Sequence, residues 1–120
     1  MDSKELAQRT KQFSLRVVRL VSALPRNRVG DVLGRQVLRS ATSIGANYRE
    51  ALRVTSRKHF LSTISIVLRE ADETLYWLEL LAESGIVKME LLQDLIDENK
   101  QLVSIFAATV KTTRRNSTKS

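Results

Sequence analysis

Four arginines in the segment 29–53 pose the first chemical question. Arg35, Arg39, Arg49 and Arg53, set on a helix at about 100° per residue, fall within roughly 80° of one another. A row of guanidinium groups on a rigid rod suits a phosphate backbone, because each planar fork can make paired hydrogen bonds to phosphate oxygens. Arg57 and Lys58 continue the positive charge across the following corner. Three readings of the row stay open at this point: a nucleic-acid surface, a solvated helix face, or pairing with acids of another subunit. Few aromatic residues interleave with these cations. Base stacking of the single-strand kind is therefore not indicated, and any such binding is mainly electrostatic and shape-led.

Other polar groups offer less chemistry. Ser43, Asn47 and Glu50 recur at i, i+4 and i+7 between the arginine row and an apolar stripe. A nucleophilic role for Ser43 would need a base nearby, and nothing in the sequence specifies one. The three read instead as a structural polar line, hydrogen-bonded to a neighbouring helix because unpaired burial is costly. Carboxylates at Glu70, Asp72, Glu73 and Glu79, and again at Glu90, Asp94, Asp97 and Glu98, invite a di-metal site. That arrangement needs Glu-x-x-His on two helices, and the single histidine, His59, has no such setting. There is no glycine-rich phosphate loop, zinc spacing or catalytic triad pattern. The expectation is a protein without catalytic residues, metal or cofactor, and not an enzyme.

The elements that position these residues follow from composition and periodicity. The chain has 120 residues, 20 Lys+Arg against 13 Asp+Glu and a formal net charge of +7. That length allows one domain. The absence of cysteine removes disulfide frameworks and thiolate sites and fits a reducing, cytoplasmic setting. No stretch approaches the apolar length needed to span a bilayer. The charge is divided unevenly: net +9 over residues 1–58, −6 over 59–110 and +4 over 111–120. An acidic patch can thus face a basic one, within a molecule or between copies.

Four glycines and one proline leave little turn chemistry, so most of the chain must be helical. Leu6, Thr10, Phe13, Val17, Leu20 and Leu24 form the stripe of a first helix, capped at Asp2 or Ser3 and ended by Pro25. A second helix, from about Val29 to Arg53, turns Leu33, Val37, Ala41, Ile44, Tyr48 and Leu52 inward. A third, from about Arg57 to Ser84, has Ser56 as its N-cap, Gly85 as its stop and Phe60, Ile64, Val67, Ala71, Leu75 and Leu78 inside. A fourth starts near Lys88 with Leu91, Leu95, Leu102, Phe106 and Val110 inward. Short connections between four helices predict an all-α, up-down-up-down antiparallel bundle over residues 1–110. Residues 111–120 read as a disordered basic tail.

The third helix carries more apolar surface than one core requires. Ile66, Trp77 and Leu80, with His59 and Tyr76, lie off its inward stripe and suggest a subunit interface.

A longer pattern supports these readings. Leu33-x-x-Gln36-x-x-Arg39-x-Ala41-x-Ser43-Ile44-Gly45-Ala46-Asn47-x-x-Glu50 resembles the signature of the S23-type four-helix-bundle proteins, which are encoded within intervening sequences of bacterial 23S ribosomal RNA. Ser56-Arg57-Lys58-His59-Phe60 and Glu70-Ala71-Asp72-Glu73-Thr74-Leu75-Tyr76-Trp77-Leu78-Glu79-Leu80 resemble the family's third helix. The likeness runs from about Leu6 to Val110. It implies a cytosolic bacterial homo-oligomer, typically a pentamer, with no enzymatic activity. A similar bundle, the accessory variability protein of diversity-generating retroelements, works with a reverse transcriptase and nucleic acid, so the resemblance also implies such partners. Gly45 stands where the family often has proline, so the family's enforced kink is not implied here.

Overall fold

The structure is a computed structural model that describes residues 1–119, with side chains through Asn116. Helix α1 spans Ser3–Ser22, α2 Arg28–Ala51, α3 Arg57–Glu83 and α4 Met89–Lys119. Each of the first three begins on a side-chain cap. Glu5 N donates to Asp2 Oδ1 at 2.8 Å, Gly30 N to Asn27 Oδ1 at 2.8 Å and His59 N to Ser56 Oγ at 3.0 Å. Each cap satisfies an amide that the helix cannot pair internally. Gly85, at φ +79°, ends α3 in the left-handed conformation that favours glycine.

Helices consecutive in the chain pack antiparallel, α1 on α2, α2 on α3 and α3 on α4. The seam that closes α1 against α4 is the thinnest and is pinned by Arg9, whose Nε donates to Glu98 Oε2 at 2.6 Å. The rod measures 51 × 24 × 20 Å. Phe13, Val17, Val37, Ile44, Ile64, Val67, Leu78, Leu92, Leu102 and Phe106 fill its centre. Two buried polar ties cross the seams: Thr74 Oγ1 donates to Ser40 Oγ at 2.8 Å, and Asn99 Nδ2 to Ala71 O at 2.9 Å. Helix α2 runs unbroken through Gly45. Its close approach to the preceding corner is made at Gly30, where a Cβ would lie 2.8 Å from Pro25 O.

Three expectations are corrected. Leu52 is 43% exposed, because α2 ends at Ala51 and it is Ala51 that continues the inward line. Leu91 is 74% exposed and Leu92 fully buried. The inward phase of α4 is therefore Leu92, Leu95, Ile96, Asn99 and Leu102, and Leu91 lies about 100° away from its neighbour. The tail is the third correction. Helix α4 continues past Val110, Thr113 is buried and donates to Thr109 O at 2.7 Å, and Arg57 Nη1 donates to Asn116 O at 3.0 Å. Docking against the α2–α3 corner orders residues 111–116 as helix despite their polar composition. Ser120, and the side chains beyond Asn116, lie outside the described residues.

Candidate nucleic-acid interface

Helix α2 places Arg35, Arg39 and Arg49 on its outward side, and Arg53 stands two residues past its end at Ala51; all four are exposed, but they are not equivalent. Arg39 turns towards α3. Its Nη1 donates to Glu70 Oε2 at 3.2 Å and its Nη2 to Glu73 Oε1. The Glu70 side chain is only 9% exposed, and Arg39 neutralises it at closer range than its other partner, Arg69, whose Nη2 lies 3.9 Å from Oε1. Arg39 is thus a strut between helices rather than a free cation. Arg35, Arg49, Arg53 and Lys58 are in no ion pair among the described residues. Arg57 spends one donor on Asn116 O.

The remaining cations border grooves. Arg35 lines a hollow of about 380 Å³ with Arg26, Asp31 and Gly34 at the α1–α2 corner. Arg49 faces Lys11 across a groove of about 220 Å³, floored by Ala7, Thr10, Ser14 and Gly45. Arg57 lines a third, of about 310 Å³, with Phe60, Thr113 and Asn116. Arg35 and Arg49 are separated by 14 residues of α2, roughly 21 Å along the helix. The helical part of the row therefore covers less than half of the 51 Å length of the rod.

The polar line is satisfied differently from the expectation. Ser43 Oγ donates to Arg39 O at 2.7 Å and Asn47 Nδ2 to Ser43 O at 2.8 Å, both within α2, while Glu50 is exposed. A four-residue helical offset brings a short side chain to its own helix's carbonyl before it reaches a neighbour. Uncharged side chains that do bond between helices are Ser14 on Ala41 O, Thr74 on Ser40 Oγ and Asn99 on Ala71 O.

On α3, His59 and Tyr76 are exposed, and Ile66, Trp77 and Leu80 half-buried. Trp77 also packs on the core, meets the Tyr76 ring edge-on at 5.1 Å and donates from Nε1 to Glu73 Oε1 at 3.4 Å. Val29 and Val32, 55% and 50% exposed at the start of α2, lie at the same end of the bundle as Tyr76 and Leu80 and extend the apolar surface there. Glu79, Glu83, Glu90 and Asp94 are exposed around that end too. Among the described residues no three His, Asp or Glu side chains converge as a metal site, and no helix is long and apolar enough to cross a membrane.

This geometry is that of a slim antiparallel four-helix bundle with a basic outer edge. The family of 23S rRNA-intervening sequence proteins matches residues 3–108, and the chain belongs to it. A solved structure from Bacteroides thetaiotaomicron, described as a protein of unknown function from the S23 ribosomal protein family, is 34% identical. The match covers 88% of this chain and 97% of that one, with a TM-score of 0.81. No curated protein matches.

Proposed function

We propose that this protein is a non-enzymatic, oligomeric binding module that holds nucleic acid, RNA or DNA, by its phosphates. The observation that carries the reading is the exposure of Arg35, Arg49, Arg53 and Lys58 outside every ion pair of the described residues. Acids are available in the same chain, and Arg39 finds them. The family's description as 23S rRNA-intervening sequence proteins is consistent with RNA as the ligand. Copies assemble through the apolar surface of Ile66, Tyr76, Trp77 and Leu80 with His59 at its margin, as the pentamer implied by the family likeness, and assembly multiplies a weak contact by avidity. The test is a salt titration of RNA and DNA binding by the wild type and by an Arg35→Gln/Arg49→Gln/Arg53→Gln variant. Binding at low salt with a shallower salt dependence in the variant supports the reading; an unchanged slope, or no binding at all, refutes it.

A second reading is an assembly scaffold in which the basic edge docks an acidic protein surface. It is favoured by Glu90, Asp94 and Asp97, exposed on the outward side of α4 and outside every ion pair of the described residues. Charge reversal at Arg49 and Arg53 then dissociates the particle in light scattering, and an unchanged mass counts against it.

A further inference from the structure

We infer that the phosphate-binding surface is centred on one end of the bundle, and that the C-terminal stretch of α4 is part of it. The inference rests on the nucleic-acid reading above and specifies its location. Up-down-up-down topology brings the end of α2, the start of α3 and the end of α4 to the same end of the rod. Those three segments deliver Arg49 and Arg53, Arg57 and Lys58, and Lys111 and Arg114, all exposed. The hydrogen bond from Arg57 to Asn116 O sets the level of α4 against α3. Lys111 therefore lies five residues, roughly 8 Å, from the level of the corner. Cations distant in sequence become a collar around one face. Except for Arg57, whose Nη1 is taken by Asn116 O, none of the six has an ion pair or hydrogen bond to an acid among the described residues.

The opposite end is of mixed sign. Arg26, Arg28 and Arg35 there stand among Asp31, Glu79, Glu83 and Glu90, so a polyanion is attracted and repelled together. Helix α2 midway is neutralised, because Arg39 is committed to Glu70 and Glu73. The collar end also holds three exposed acids, Asp2 and Glu5 at the start of α1 and Glu50 beside Arg49, but its six cations outnumber them two to one and come from three separate segments. Its chemistry favours phosphate over a protein partner. Phosphate recognition draws on counterion release and charge-assisted hydrogen bonds instead of buried area.

The experiment compares two double variants of the full chain, Lys111→Gln/Arg114→Gln and Arg26→Gln/Arg28→Gln, by fluorescence anisotropy of a labelled RNA duplex across a salt series. Circular dichroism verifies the helical content of each. The inference expects the first pair to lower affinity and to reduce the slope of log K against log salt by about 1–2, with the second pair near the wild type. Loss of slope at Arg26 and Arg28 with none at Lys111 and Arg114 overturns the location while leaving the nucleic-acid reading intact. Absence of wild-type binding removes both. A fall in particle mass with unchanged RNA affinity in the Lys111/Arg114 variant also overturns the inference, since the collar then serves protein contact.

Discussion

Arg39 on α2 and Glu70 on α3 form an ion pair at 3.2 Å across the bundle's most extensive helix seam. The pair is asymmetric: the arginine side chain is 49% exposed and the glutamate almost wholly buried. Half the interaction is therefore screened by water, while the desolvation cost falls on the carboxylate. Replacing Arg39 by Gln is expected to destabilise the fold by about 1–2 kcal/mol, less than the rupture of a fully buried pair. The same substitution leaves the salt slope of RNA binding unchanged. Urea denaturation and a salt titration on one sample check both halves; a slope reduced as far as with Arg53→Gln would restore Arg39 to the binding surface.

Gly30 and Gly45 separate two uses of glycine in a helix. A Cβ at Gly30 would meet the backbone oxygen of Pro25 at 2.8 Å, whereas one at Gly45 would sit 3.4 Å from Thr10 Oγ1. Gly30→Ala is expected to cost about 1–3 kcal/mol through overpacking against backbone. Gly45→Ala should be neutral or stabilise by up to about 1 kcal/mol, since α2 gains helix propensity. Thermal melts of the two variants should move in different directions, or Gly45 not at all.

Asn99 lies wholly inside the core, with Nδ2 bonded to Ala71 O and Oδ1 without a partner. Asn99→Asp puts a carboxylate against that carbonyl and is expected to cost about 3–5 kcal/mol at neutral pH. Burial raises the carboxyl's folded-state pKa above its unfolded value, so the folded form holds the extra proton. Stability is then regained as pH falls through the raised value, the reverse of an ordinary salt-bridged acid. Asn99→Leu, which removes the unpaired oxygen, should be far milder and insensitive to pH. Urea midpoints of both variants between acid and neutral pH provide the measurement.

Tyr48 packs its ring on Phe106 at 5.4 Å, and burial, followed by the negative charge of Asp2, raises its phenol pKa. The folded state therefore keeps the proton longer than the unfolded one. Its contribution to stability is complete below the usual tyrosine value near 10 and is lost as pH climbs through the raised value. Tyrosinate absorbance during alkaline titration should show a late component that Tyr48→Phe abolishes.

Much of the frame was legible because its signals are local. Asp2, Ser56 and Gly85 act within one turn, and the stripes Leu6–Val17, Val37–Tyr48 and Ile64–Leu78 need only helical geometry. The misreadings come where local pattern allows two answers. Leu91, Leu92, Leu95 and Ile96 admit two inward phases, and only contact with α3 selects the one led by Leu92. The stretch after Val110 is polar enough to read as a tail, and its helix depends on Thr113 and Asn116 meeting a corner more than fifty residues away. The same limit applies to the candidate site. Helical angles place Arg39 in the row correctly, but its commitment to Glu70 and Glu73 depends on the register of α2 on α3, which the spacing of neither helix encodes. Asn27 caps α2 from within what reads as a simple connection.

The separation of charge along the rod also bears on how the molecule moves. Cations outnumber acids around one end, while Glu79, Glu83, Glu90 and Asp94 offset Arg26, Arg28 and Arg35 around the other, in a body 51 Å long. Such a body is an electric dipole free to tumble. Screening at physiological salt, with a decay length of about 8 Å, hides the far end from any surface the near end touches. A polyanion thus exerts a torque before it makes a contact, turning the basic end forward and shortening the search over orientations. For this protein salt should slow arrival more than it hastens departure, so its capture rate reports the alignment of the rod.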